Sequence, residues 1–214
     1  MTGKIKLVHS GGNSVSVAVP TNAPSASEVE FKLPQSDGSA NQALVSDGSG
    51  NLSFASVAGG KILQVVSTTK TDTFSESVAT TARSSIVTGL TATITPSATS
   101  SKIFVQYSVN AAQYLHYMVL TRNGSDLTAA TGDASGSRSR ITAGAIHGND
   151  AYLQSLSGMF LDSPSSTSAL TYGMKFGHGS GSTRTIRINY DNLDSDSNLR
   201  GRAISTITVM EIAA

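Results

Sequence analysis

The sequence predicts an all-β protein: an antiparallel β-sandwich of jelly-roll type behind an extended N-terminal β-hairpin arm. Three observations carry that expectation. The composition is dominated by Ser, Thr, Gly, Ala and Val, and β-branched side chains suit a pleated, half-buried surface. Apolar residues recur with period two, most clearly in Lys102-Ile103-Phe104-Val105-Gln106-Tyr107-Ser108-Val109, which puts Ile103, Val105, Tyr107 and Val109 on one face. Finally, about eight strand-like runs alternate with small-polar turns and no helix exceeds two turns, the spacing of a sandwich.

Composition also excludes function classes. The 15 Lys+Arg and 14 Asp+Glu leave a net charge of +1, and charged residues make up only 14% of the 214, against roughly 25% in globular domains. No basic footprint for nucleic acid is present. With 0 Cys there is neither a disulfide staple nor a thiolate metal site. No apolar run approaches the ~18 residues of a membrane-spanning helix, so no membrane insertion is expected. The opening Met1-Thr2-Gly3-Lys4-Ile5-Lys6 lacks a signal-peptide core, so the mature chain is expected to begin near Met1.

Three sections follow in order: 1–33, 34–60 and 61–214. In the first, Lys4-Ile5-Lys6-Leu7-Val8 and Val15-Ser16-Val17-Ala18-Val19 flank the turn signal Ser10-Gly11-Gly12-Asn13, which reads as a hairpin. Val29, Phe31 and Leu33 then alternate with Glu30 and Lys32 as a further strand until Pro34 stops it. In the second section Ser36-Asp37-Gly38-Ser39 recurs ten residues later as Ser46-Asp47-Gly48-Ser49. Asp-Gly favours a tight turn, so each copy predicts a turn and a short strand. A lone two-stranded ribbon is marginal in water. The third section predicts strands at Ile62–Val66, Ile86–Pro96, Lys102–Val109, Tyr117–Arg122, Asp126–Ala129, Leu153–Leu161, Leu170–Phe176, Thr185–Tyr190 and Ala203–Ile212. Asn123-Gly124 marks a hairpin turn among them.

Two readings fit the arm. A Ser/Gly-rich stretch can be a flexible linker, but a flexible tether needs neither a fixed ten-residue period nor a repeated apolar anchor. The alternative is that identical chains wind about a common axis, where Val29, Phe31, Leu33, Leu44, Leu52 and Phe54 of each copy meet.

The segments "KLVHSGGNSVSV", "FKLPQSDGSANQALVSDGSGNLSFA" and "STITVMEI" resemble recurring segments of small fibre and appendage proteins in tailed phages of marine cyanobacteria and related marine bacteria. "GLTATITPSATSSKIFVQYSV" is similar to the first half of their globular domains. The resemblance implies a virion structural protein, assembled in the host cytoplasm and usually trimeric. Residues 1–33 would attach to other virion proteins, 34–60 would form the stalk, and 61–214 would face outward. A tail fibre or short appendage engaging a host-surface glycan or protein is the first expectation; a head decoration, cement or head-fibre protein is the alternative. The segment from Tyr114 to Asn198 lies outside the resemblance.

His9, His116, His147 and His178 have no metal-binding spacing. Asp191, Asp194 and Asp196 in Asp191–Asn198 concentrate the oxygens a hard cation wants, but the loop lacks the glycine and glutamate of an EF-hand; a solvated acidic turn is the simpler expectation. Gly177–Ser182 has no following Lys-Ser/Thr or helix to make it a phosphate loop. No nucleophile elbow is present. The expectation is a protein that is not an enzyme and carries no cofactor. Tyr114, His116, Arg138, Arg140 and Tyr152 lie near loop ends, where binding residues gather, and form the expected outward contact surface.

Overall fold

The computed structural model describes residues 4–18, 20–22, 24, 28–40, 42–56, 61–112, 116–144 and 151–214. The chain divides into two compact units, Met1–Ala58 and Gly59–Ala214.

In the first unit the alternating segments at either side of Ser10–Asn13 form a hairpin of β1 (Lys4–Val8) and β2 (Ser14–Ala18), with Ile5 opposite Val17. Its turn closes where the His9 amide donates to the Asn13 carbonyl at 2.8 Å and Gly12 to His9 at 2.9 Å. A second hairpin pairs β3 (Gln42–Ser46) with β4 (Leu52–Ser56), Leu44 opposite Phe54.

The two copies of Ser-Asp-Gly-Ser behave differently. The second is the turn between β3 and β4. Asp47 Oδ1 accepts from the Ser49 amide at 2.7 Å and Oδ2 from Asn51 Nδ2 at 2.6 Å; these hydrogen bonds, that from Asn51 foremost, hold its carboxyl below the usual range. The first copy leads into β3. There the Ser39 amide donates to Gln42 Oε1 at 2.7 Å, and Gly38 lies under the Phe54 ring, where a Cβ would stand 2.5 Å from a ring carbon.

The strand expected at Val29, Phe31 and Leu33 is instead irregular, with a single parallel bridge from Lys32 to Asn51. Lys32 donates to the Gly50 carbonyl at 2.9 Å and accepts from the Leu52 amide at 2.8 Å. Gly50 makes this approach possible: its φ is +90°, and a Cβ there would sit 2.5 Å from the Glu30 carbonyl oxygen. Pro34, with no amide to donate, ends the pairing.

The second unit is an antiparallel β-sandwich. In chain order it holds β5 (Ile62–Lys70), β6 (Phe74–Val78), β7 (Ala92–Ile94), β8 (Lys102–Ala112), β9 (His116–Arg122) and β10 (Ser125–Asp126). After a 3₁₀ turn at Thr128–Ala130 come β11 (Ala143–Gly144), β12 (Gln154–Asp162), β13 (Leu170–His178), β14 (Arg184–Ile188) and β15 (Ser205–Ile212). One sheet runs β5-β15-β8-β14-β6, with β12 also against β8; the other runs β10-β9-β13-β7, with β11 against β9.

Period two in β8 does what the sequence predicts. Ile103, Val105 and Val109 are fully buried, and Tyr107 nearly so, in one core with Met118, Leu120, Met174 and Phe176. Each such side chain contributes about 1.5–3 kcal/mol by leaving water.

Of Ile86–Pro96 only Ala92–Ile94 is strand. Gly89 takes φ +76° and the Leu90 amide turns back to the Val87 carbonyl at 3.1 Å, which buries both Val87 and Leu90. The expected strand at Asp126–Ala129 is reduced to two residues and the 3₁₀ turn. Strand β6 was not expected, because Phe74-Ser75-Glu76-Ser77-Val78 is short and polar at its centre.

Three buried polar groups fasten the sandwich. Asn189, fully buried at the end of β14, donates from Nδ2 to the Lys70 and Asp72 carbonyls at 2.9 Å each and accepts from Ser205 Oγ at 2.6 Å. Glu211 on β15 is fully buried and accepts from the Ser97 amide (2.7 Å), Ser97 Oγ (2.6 Å), Ser101 Oγ (2.7 Å) and Gln64 Nε2 (2.6 Å). Burial alone would raise its pKa, but the hydrogen bonds from Ser97, Gln64 and Ser101 outweigh it and push the carboxyl down to about 2. Asp162 accepts from both Arg122 Nη1 and the buried Tyr172 hydroxyl at 2.7 Å. Burial first, and then that carboxylate, raises the Tyr172 hydroxyl well above its ordinary pKa.

Candidate functional site

The first unit has no interior of its own among the described residues. Val29, Phe31 and Leu33 are 56%, 64% and 76% exposed, and Leu44, Phe54, Ile5, Leu7 and Val17 also face water. Register places Leu44, Leu52 and Phe54 on the same face of the β3–β4 ribbon, with Leu52 half-buried. Leu33, Leu44 and Phe54 line one shallow depression with Pro34 and Asp37. The structure therefore brings three of the six expected axis residues together on one ribbon face, and seats Leu33 beside them.

The expected outward surface does not assemble as one patch. Tyr114 lies outside the described residues, as does His147. His116 is a correction: it is 2% exposed at the start of β9, in register with the equally buried His178, so its ring is not presented to a receptor. Sequence could not show that both histidines fall on the inward phase of paired strands.

Arg138 and Arg140 are exposed, but they serve their own loop. Arg140 donates from Nε to the Gly132 carbonyl at 2.6 Å, and Arg138 from Nη1 to Ser135 Oγ at 2.9 Å. The same loop is held from outside by Arg83, which pairs with Asp126 and donates to the Arg140 carbonyl at 3.0 Å. Tyr152, 58% exposed, belongs to a different neighbourhood, since the adjacent Ala151 carbonyl accepts from Arg200 at 2.9 Å.

The acidic loop is internally neutralised. Asp191 Oδ1 accepts from the Leu193 and Asp194 amides at 3.0 and 2.9 Å, while Oδ2 pairs with Arg200 at 3.4 Å. Burial opposes its charge, yet those amides and Arg200 prevail and lower the carboxyl. Asp194 pairs with Arg202 at 2.6 Å, and that guanidinium stacks 5.4 Å from the Tyr190 ring centroid. Asp196 stays exposed. Arg200 and Arg202 thus pair with two of the three carboxylates, and among the described residues no group of three His, Cys, Asp or Glu could hold a metal.

Sequence reasoning missed the outward face of β5, β15, β8 and β12. Cross-strand register places Val65, Met210, Phe104 and Leu161 side by side in one transverse row. The next row is Ser67, Thr208, Gln106 and Met159. Val65, Met159 and Leu161 are 55%, 69% and 52% exposed, and Ile62 and Leu63 at the start of β5 are similar. Beyond them the face turns to hydroxyls: Ser67 and Thr208 share a hydrogen bond at 2.8 Å, and Ser157 donates to Ser108 at 3.1 Å. A groove of about 470 Å³ runs between Gln106, Ser108, Ser157, Met159, Thr206 and Thr208. A signal was available. Val65-Val66, Ile103-Phe104-Val105, Met159-Phe160-Leu161 and Val209-Met210 are apolar in both phases of the strand, whereas a sandwich strand with one wet face alternates.

No family model matches the chain, and no curated protein matches it. Among solved structures it is similar to those of infectious bursal disease virus strains Gx and Gt, each at TM-score 0.35, with 8% and 11% identity. The alignments cover 94% and 95% of this chain but 47% and 48% of those chains, so it spans about half their length. A likeness of that extent carries no argument about what this protein does.

Proposed function

We propose that this chain is a virion structural protein: a homotrimeric tail fibre or short appendage of a tailed phage. Residues 1–33 dock on other virion proteins, 34–60 form a thin stalk on the threefold axis, and 61–214 present the sandwich to a host-surface glycan or protein. Its action is mechanical and recognitional, with no catalysis and no cofactor. Three weak sites on one appendage, repeated over a particle, reach useful avidity.

The observation that supports this reading is the uncovered apolar set of the first unit. Phe31 and Leu33 of the irregular segment and Leu44 and Phe54 of the β3–β4 ribbon stand in water in the single chain, and a ribbon so thin cannot fold over them. Copies of the same ribbon supply the missing cover symmetrically.

Sedimentation equilibrium of the intact protein tests it. A mass three times the 22.0 kDa of one chain is expected; a monomer at micromolar concentration overturns it. Deleting residues 1–33 should leave a soluble head that no longer joins particles. Immunogold labelling of intact particles should mark the tail, and labelling over the head instead would replace the tail-fibre reading with a decoration protein.

A further inference from the structure

We infer that the outward face of β5, β15, β8 and β12 is the contact between sandwich domains of neighbouring copies, so that the heads pack on one another as well as the stalks. The inference rests on the trimeric reading above and adds a second, separate surface to it.

Two features select a second copy as the occupant. The first is charge. On these four strands Lys102 is the one outward charged side chain, and its Nζ is engaged with Ser163 Oγ at 2.9 Å. Asp162 and Glu211 of these strands are turned into internal hydrogen bonds, the first with Arg122 and Tyr172, and the exposed Lys61 just before β5 donates to the Ala214 carbonyl at 3.2 Å. With a single outward charge per copy on these strands, the face offers little to complement an acidic or basic partner.

The second is area. Ile62, Leu63, Val65, Met159 and Leu161 are each about half exposed or more. At on the order of 100 Å² apiece, they form a patch near the upper end of the roughly 300–600 Å² that monomers leave to water. With the Ser and Thr rows beside it, the face approaches the ~800 Å² per partner of a standard interface. The mixture suits a protomer contact: an apolar core with a hydroxyl rim that bonds to itself or to water.

The chain has 0 Cys, so Met159→Cys in the full-length protein creates a unique thiol. Its reaction rate with a maleimide is compared with that of Ser77→Cys, an exposed position on β6 of the same sheet. In the trimer, Met159→Cys should react about tenfold more slowly than Ser77→Cys, with the difference vanishing when dilution separates the chains. Equal rates in a species of trimeric mass overturn this inference and leave the trimeric stalk standing. Slow reaction that persists in dissociated chains also overturns it, because the cover is then the chain's own. A monomer at every concentration overturns both. Leu161→Glu gives an independent reading: the trimer should keep its mass through the stalk but sediment more slowly, with splayed heads, and an unchanged sedimentation coefficient counts against the contact.

Discussion

The two units use apolar residues in opposite ways. In the sandwich, Ile103, Met118, Met174 and Phe176 are fully buried, and even the charged Glu211 is enclosed by four donors. In the N-terminal unit Phe31 and Leu33 stand 64% and 76% exposed, and order comes from backbone pairing and turn chemistry alone. The sandwich therefore owns its stability, whereas the described residues of the ribbon hold their shape locally and leave their apolar side chains in water.

The sharpest way to break that contrast is to remove one ring from each unit. Phe176→Ala opens a cavity in a closed core and should cost about 3–5 kcal/mol, which lowers the melting midpoint of the sandwich by roughly 10 °C. Phe31→Ala should leave that midpoint unmoved and instead reduce the trimeric fraction in sedimentation. If Phe31→Ala melts the sandwich as Phe176→Ala does, the units are not independent.

A smaller effect sharpens the sandwich side. Glu211 titrates near 2 when folded against an ordinary 4.5. A depressed folded pKa means its stabilisation is fully present above 4.5 and disappears as the pH falls toward 2. Glu211→Gln should cost about 1–3 kcal/mol at neutral pH and flatten the acid limb of a stability-versus-pH curve between those values. An unchanged acid limb would assign the acid sensitivity to another carboxylate.

The smallest effect is confined to the ribbon. Gly50→Ala introduces a methyl against the Glu30 carbonyl at a residue with φ +90° and should cost more than about 1 kcal/mol locally. The Lys32 and Leu52 amides should exchange faster while the sandwich melts as before. Unaltered exchange would mean the 28–33 segment is held by something other than the Lys32 bridge.

Much of the fold was legible where pattern and partner agree. The β1–β2 and β3–β4 hairpins follow from local turn chemistry, and β8, β12, β13 and β15 from period two. Legibility failed where a segment's partner is distant. Val29-Glu30-Phe31-Lys32-Leu33 alternates like a strand, yet with Pro34 behind it finds one bridge only. Ile86–Leu90 alternates too, but Gly89 folds it back so that Val87 and Leu90 share the interior. The clasp of Asp162 with Arg122 and Tyr172 joins β12, β9 and β13, and no spacing in the sequence announces it. Loop position suggested His116 as a contact, and burial removed it. The outward face of the larger sheet was written in strands apolar on both phases, and its meaning needed the strand order.

The turn closed by Asp47 bears on the order of events in the trimer proposed above. A hairpin whose loop is fastened by its own carboxylate zips in about 1–10 μs without help, far sooner than newly made chains meet at cellular concentrations. Under that proposal each chain would reach its siblings with its strand register already chosen. Assembly would then be the docking of finished pieces, with less chance of three chains braiding out of step.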